Sequence, residues 1–202
     1  MANKTGGQIV GASTTRRRLD PDLRRAQLLE HAISAFADAG IERAAHADVG
    51  ARAHVSTPTV FKYFPTREAL VDAVLSEVEQ TLENLKTHLP KGMVLTGPEL
   101  VRAMAGILSE VCANRPDIMK VTLTWSVAFS PVRDRYLSFQ TRLKGILSSL
   151  LDLDTADESD VLIIFATAKL FTRMHFDGTT AEVRRDYINR TCEVLESAAN
   201  RA

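Results

Sequence analysis

Residues 49–70 read Val49-Gly50-Ala51-Arg52-Ala53-His54-Val55-Ser56-Thr57-Pro58-Thr59-Val60-Phe61-Lys62-Tyr63-Phe64-Pro65-Thr66-Arg67-Glu68-Ala69-Leu70, and they decide the fold. A short helix over 45–53 ends at a turn formed by His54 and Val55. Ser56 is an N-cap residue for the next helix, Pro58 suits its first turn, and Phe64-Pro65 closes it. Two helices this short are stable only when packed. Val60 and Phe64, four apart, supply the packed side, which leaves Thr57, Thr59, Lys62 and Tyr63 on or beside the outer face. A tight turn between two such helices is the helix-turn-helix arrangement, whose second helix enters a DNA major groove. Hydroxyls near the start of that helix approach base edges without clashing, and Lys62 reaches a guanine edge or a phosphate. Arg67, just past the Thr66 cap, is placed for a second phosphate contact.

Working outward, Asp20-Pro21 is a helix start, and Leu28, Leu29, Ala32, Ile33 and Phe36 recur at helical spacing up to Gly40. Upstream lies the basic run Arg16-Arg17-Arg18, after a polar stretch over 1–15 with no apolar period. Downstream, Thr66 caps a helix that ends before Pro90, and the helices then lengthen. Gly97-Pro98 opens one, Pro116 breaks it, a stretch over 118–128 surrounds Trp125, and Ser130-Pro131 starts another. An acidic loop over 152–157 precedes a long apolar helix over 158–176, and Thr179 and Thr180 cap a last amphipathic one. Sustained period-two alternation is absent, so the expected fold class is all-α. The expected organisation is a flexible basic arm over 1–19, a three-helix DNA-binding domain over 20–66, and a larger helical regulatory and dimerisation domain over 67–202.

Charge is informative through its distribution. The chain has 25 basic and 25 acidic residues in 202. Residues 1–70 nevertheless hold ten Lys/Arg against seven Asp/Glu, so the positive excess lies where DNA is expected. Cys112 and Cys192 are the two cysteines, with no CxxC pair and no zinc-type spacing. They read as buried thiols of a cytoplasmic protein, and no metal or cofactor is expected. No apolar run approaches the roughly 20 residues of a membrane span, and the N-terminus lacks a secretory core. Phosphate-binding glycine loops, nucleophile elbows and HExxH runs are missing as well, so an enzyme is not expected.

The stretch over 49–70, within a similarity running over 23–74, resembles the signature of the TetR family of regulators. Gly40-Ile41-Glu42-Arg43, His46-Ala47-Asp48-Val49 and Tyr63-Phe64-Pro65-Thr66-Arg67-Glu68 are similar to its LuxR/HapR/SmcR branch of quorum-sensing master regulators. Arg16-Arg17-Arg18-Leu19 and Trp125-Ser126 share that similarity. Lys62 departs from it, standing where an Asn is common, and Ala44-Ala45 replace small glycines. The resemblance implies a basic arm in the minor groove, with Arg16 and Arg18 as contacts and Arg17 beside them. It places Ser56, Thr57, Thr59 and Lys62 on the recognition face, and it implies a homodimer on double-stranded DNA. The plain alternatives are a solvated charge run at 16–18, a surface lysine at 62, and Tyr63 half in the core with its hydroxyl on a phosphate.

Effector residues are less legible. Met104, Ile107, Leu123, Trp125 and Phe171 are apolar, lie on helices of the larger domain, and are candidates to line a site for a small hydrophobic ligand. A packed core aromatic is an equal reading of Trp125, the single tryptophan. The helix over 158–176 is apolar on more than one side, and the last helix carries Val183, Tyr187, Ile188, Thr191, Val194 and Leu195 on one stripe. Two such helices per subunit fit a four-helix seam between copies. A different class of function, suggested by the zero net charge, is a small-molecule or protein-interaction module whose helix-turn-helix has stopped binding DNA.

Overall fold

The computed structural model describes residues 20–89, 92–126, 128, 132–152 and 157–199. Among them run α1 (Pro21–Ala39), α2 (His46–Arg52), α3 (Thr57–Tyr63), α4 (Arg67–Glu83), α5 (Gly97–Asn114), α6 (Pro116–Trp125), α7 (Val132–Ser148), α8 (Glu158–Phe176) and α9 (Ala181–Ala199). The basic run at 16–18 and the proposed α7 start at Ser130-Pro131 lie outside the described residues.

Helix ends follow local chemistry. The Asp20 carboxylate accepts from the Asp22 N–H at 2.8 Å with Pro21 as the first helical residue. At the far end Gly40 adopts φ +83°, and its N–H donates to Phe36 O at 2.9 Å. Before α5, the Thr96 N–H and hydroxyl both donate to Glu99 Oε2, at 2.9 and 2.8 Å. Asp157 caps α8 by accepting from the Ser159 and Asp160 N–H groups at 2.7 and 3.0 Å. Helix α4 does not simply stop. Its last turn tightens into a 3₁₀ segment, Asn84–His88, one way of satisfying terminal carbonyls. A feature absent from the sequence reading is an isolated bridge in which the Leu95 N–H donates to Leu150 O at 2.8 Å and the Asp152 N–H to Leu95 O at 3.0 Å.

Two packing units share one continuous core. The smaller gathers α1 to α4 around Leu28, Ile33, Phe36, Val49, Val60, Phe64 and Leu70, all buried. In the larger, α5 packs most extensively on α8 and α9. Trp125 is its largest fully buried side chain. The indole stacks on Phe139, centroids 5.4 Å apart, tilts against Tyr136, and donates its N–H to Val132 O at 2.9 Å. Burial of an aromatic of this size contributes about 3–5 kcal/mol by truncation. The two units meet where α1 packs along α6, with the Arg115 guanidinium 3.3 Å from the Glu30 carboxylate. They meet again where Arg135 and Arg142 of α7 pair with Asp72, Glu79 and Glu83 of α4 at 2.6–3.2 Å.

His175, half-buried near the end of α8, has the one buried side-chain N or O atom among the described residues, Nδ1, that finds no partner. Burial, aided by the Arg184 positive charge, holds its imidazole below the ordinary range. The native state therefore binds fewer protons here than the unfolded chain. Its stabilising contribution is complete above the unfolded value of about 6.5 and is lost as pH falls through the lower folded value. Urea unfolding between pH 8 and 5 is expected to show stability falling with acid, less steeply in His175→Gln; equal slopes would refute the assignment.

Candidate nucleic-acid interface and effector cavity

Helix α3 has seven residues, too few to hold its own orientation. Its neighbours supply that orientation. Val60 and Phe64 are buried against the smaller core, and the Arg25 guanidinium lies 5.1 Å above the Phe64 ring. The turn before it passes through His54 at φ +53°, a region histidine enters more readily than most non-glycine residues. Gly50 permits the close approach there. A Cβ at that position would lie 3.0 Å from Val55 O, and the Gly50 carbonyl itself accepts from the Val55 N–H at 2.9 Å.

Sequence reasoning missed the main brace. His46, the first residue of α2, is buried, and its Nε2–H donates to Phe64 O, at the end of α3, over 2.8 Å. Its ring also lies flat on Phe61, centroids 3.9 Å apart and planes 9° apart. One imidazole thus fixes both the height and the rotation of α3. The available signal was a histidine at a helix start eighteen residues before a helix-ending carbonyl, which spacing alone does not pair.

Of the residues expected on the outer face, Lys62 and Ser56 are exposed, while Thr57, Thr59 and Tyr63 are partly buried. At about 100° per residue Thr59, Lys62 and Tyr63 fall on one flank of α3, while Thr57 lies on the opposite flank beside Phe61. Ser56 holds the N-cap position but makes no cap bond; its hydroxyl instead lies 2.9 Å from that of Thr59. Phe61 is 44 % exposed. Arg67 is turned partly inward: its Nη2 donates to Ile41 O and Glu42 O at 2.6 and 2.7 Å. That tie fixes the loop between α1 and α2.

The larger domain holds a cavity of about 430 Å³ between α6, α7 and α8, and a second of about 120 Å³ under α5 and α7. Leu82, Leu108, Leu143, Phe165 and Ala168 line both, so the two are neighbours across a shared wall. Leu123 lines the first, and Met104 and Ile107 line the second. Trp125 and Phe171 are buried behind the walls, with Trp125 backing the lining residues Tyr136 and Phe139. Neither thiol is activated: burial pushes Cys112 up to about 11 and raises Cys192 as well. Among the described residues no group of three His, Cys, Asp or Glu side chains could hold a metal ion, and no helix is long and apolar enough to cross a membrane.

Residues 28–74 match the family of bacterial regulatory proteins, tetR family. The HTH-type transcriptional regulator LuxR of Vibrio harveyi is 38% identical over 124 residues. That similarity spans 58% of this chain and 57% of the relative, so the chain matches under three-fifths of the curated protein's length. A TetR-like transcriptional regulator from Rhodococcus sp. RHA1 superposes with a TM-score of 0.66 at 21% identity, over 91% of this chain and 97% of that one. The multidrug binding protein EbrR, in complex with imidazole, gives a TM-score of 0.58 at 20% identity over 89% and 95%. The architecture is therefore the TetR-like regulator fold.

Replacing His46 by Ala is expected to leave the Phe64 carbonyl unsatisfied at a cost of about 1–3 kcal/mol. DNA retention is expected to fall by more than in a core variant of equal stability loss, such as Leu28→Ala. Urea titration and retention on immobilised DNA measure the two, and equal losses of retention would show His46 to be an ordinary core residue.

Proposed function

We propose that this chain is a TetR-type transcriptional regulator of the quorum-sensing kind, acting as a cytoplasmic homodimer on a near-palindromic operator and responding to a small apolar ligand. The observation that carries the proposal is the exposed polar side of α3, braced from behind by Val60, Phe64 and His46. The match of residues 28–74 to the tetR family supports it, as does the similarity to LuxR.

In this reading Ser56, Thr57, Thr59 and Lys62 face the major groove, Tyr63 offers its hydroxyl to a phosphate, and Arg16, Arg17 and Arg18 form the minor-groove arm. Arg67 contributes by anchoring the α1–α2 loop, with the rest of its guanidinium left for the backbone. A single seven-residue helix touches few base edges. Two of them about 34 Å apart read successive grooves with useful affinity.

The pairing surface follows from what stays uncovered. Leu162, Ala166 and Leu170 recur every fourth residue on α8, and Val183 and Val194 lie on α9. The four large side chains among them are each about half exposed. Apolar stripes on adjacent helices are a dimer seam in search of its mate. Ligand response would travel through α6, whose Met119, Thr122 and Leu123 line the larger cavity while the helix also packs on α1. The multidrug binding protein with the same fold lends support to an effector cavity.

Recovery of bound genomic fragments tests the DNA assignment. Wild-type protein is expected to enrich a two-fold symmetric sequence, and Thr59→Ala with Lys62→Ala to lose about 1–3 kcal/mol of discrimination at the contacted positions. Unchanged selection would refute the assigned face. Absence of retention on DNA at low salt, with or without residues 1–20, would instead favour an interaction module. Sedimentation checks the seam: Leu162→Glu with Val194→Glu is expected to yield a folded monomer, and an intact dimer would place the interface elsewhere.

A further inference from the structure

The chemistry of the larger cavity is specific enough to name a ligand class. Among the described residues no Asp or Glu lines it. Its basic residues are Lys169 and Arg173. Arg173 is already paired with Asp177 at 3.2 Å, and Arg135 and Arg142, on the neighbouring helix, are paired with α4 carboxylates. Lys169 differs. Its ammonium stands 5.7 Å from the centre of the Tyr136 ring and 5.8 Å from that of Phe165, and among the described residues no carboxylate pairs with it. Aromatic faces draw a cation but do not neutralise it.

Three of the four side-chain hydroxyls in the cavity wall are already donating. Thr122 donates to Ile118 O at 2.9 Å, Ser126 to Leu123 O at 2.7 Å and Thr172 to Ala168 O at 2.9 Å. The donors that these bonds leave in the cavity wall include the Lys169 ammonium, the side-chain amide of Gln140 and the Tyr136 hydroxyl. Across the wall that contains Phe165 lies the second cavity, whose lining is apolar except for Lys86.

We infer that the cavity binds an anionic amphiphile, with an acidic head on Lys169 and Gln140 and an unbranched apolar tail extending past Phe165 toward Met104 and Ile107. A carboxylate or comparable anion supplies the counter-charge that the protein withholds, and it accepts from Lys169 and Gln140. An apolar ligand without charge gains only the tail's burial. A cationic one meets two like charges and no acid. The inference deepens the proposed response to a small apolar ligand and rests on it. Leu170, beside Lys169, belongs both to the cavity wall and to the exposed stripe of α8, so occupancy bears on the pairing surface.

The test uses the full chain with three probes of equal chain length: sodium decanoate, decanol and decyltrimethylammonium. Emission from Trp125, which stacks on the wall residue Phe139, and calorimetry both report binding. Decanoate is expected to bind at least about tenfold more tightly than decanol, a difference typical of one charge-assisted contact, and the cation to bind least. Lys169→Met is expected to erase the preference while leaving decanol affinity unchanged. Lys169→Arg should keep it, and Lys86→Met should change nothing. Equal binding of decanoate and decanol by the wild type would overturn the charge assignment and leave the effector cavity standing. Loss of the preference in Lys86→Met but not in Lys169→Met would overturn the orientation of the ligand. Failure of all three probes to bind would remove this inference and the ligand response together.

Discussion

Helix α3 has seven residues and lacks the length to hold its own orientation. Everything else in the smaller domain answers that constraint. Two apolar side chains, Val60 and Phe64, set the depth of α3. The His46 imidazole takes the last carbonyl of the helix and a flat ring contact with Phe61. Gly50 lets the turn close without a side chain in the way, and Arg67 ties down the loop that leads into α2. These contacts are made within the protein, so the exposed side keeps its polar groups in hand. A brace of buried hydrogen bonds and stacked rings also limits rotation more sharply than apolar packing alone, because hydrogen bonds and ring planes have direction.

The larger domain solves a different problem. Its core is organised around Trp125, Tyr136 and Phe139, yet the adjoining walls of α6, α7 and α8 leave a continuous space beside that cluster. Close packing elsewhere makes this space meaningful, since an interior at crystal-like density transmits a change of volume rather than absorbing it. Helix α6 stands between the space and α1, with ion pairs from α7 to α4 as a second tie between the units. The walls of the space thus touch the smaller unit in two ways, through the packing of α6 on α1 and through the α7–α4 ion pairs.

The helix order was open to inspection in the sequence, because caps and breakers act locally. Asp20-Pro21, Gly40, Thr66, Gly97-Pro98 and Pro116 mark ends that the structure keeps within a residue or two. The packed positions Val60 and Phe64 were also legible, as both are buried. Long-range contacts were not open to inspection. Nothing in the spacing pairs His46 with Phe64, turns Arg67 back onto the α1–α2 loop, or joins Leu95 to Leu150. The cavity was hardest, since apolarity nominates lining and core residues alike. Met104, Ile107 and Leu123 reach a cavity wall, whereas Trp125 and Phe171 stand behind one. Lys169, an exposed side chain at the cavity wall, carries no signal in the sequence that sets it apart from other lysines.

The apposition of α1 and α6 bears on how such a protein can diversify. Leu28, Ile33 and Phe36 belong to a core that continues into the larger domain, so the reading head is not a detachable module. A chimera exchanging residues 20–66 would have to carry a matching α6 surface with it, and most grafts would leave a mismatched seam. Single changes on the solvent side of α3 disturb no such seam. A changed surface on α3 is therefore reached more readily by point substitution at positions such as Lys62 than by recombination of whole units.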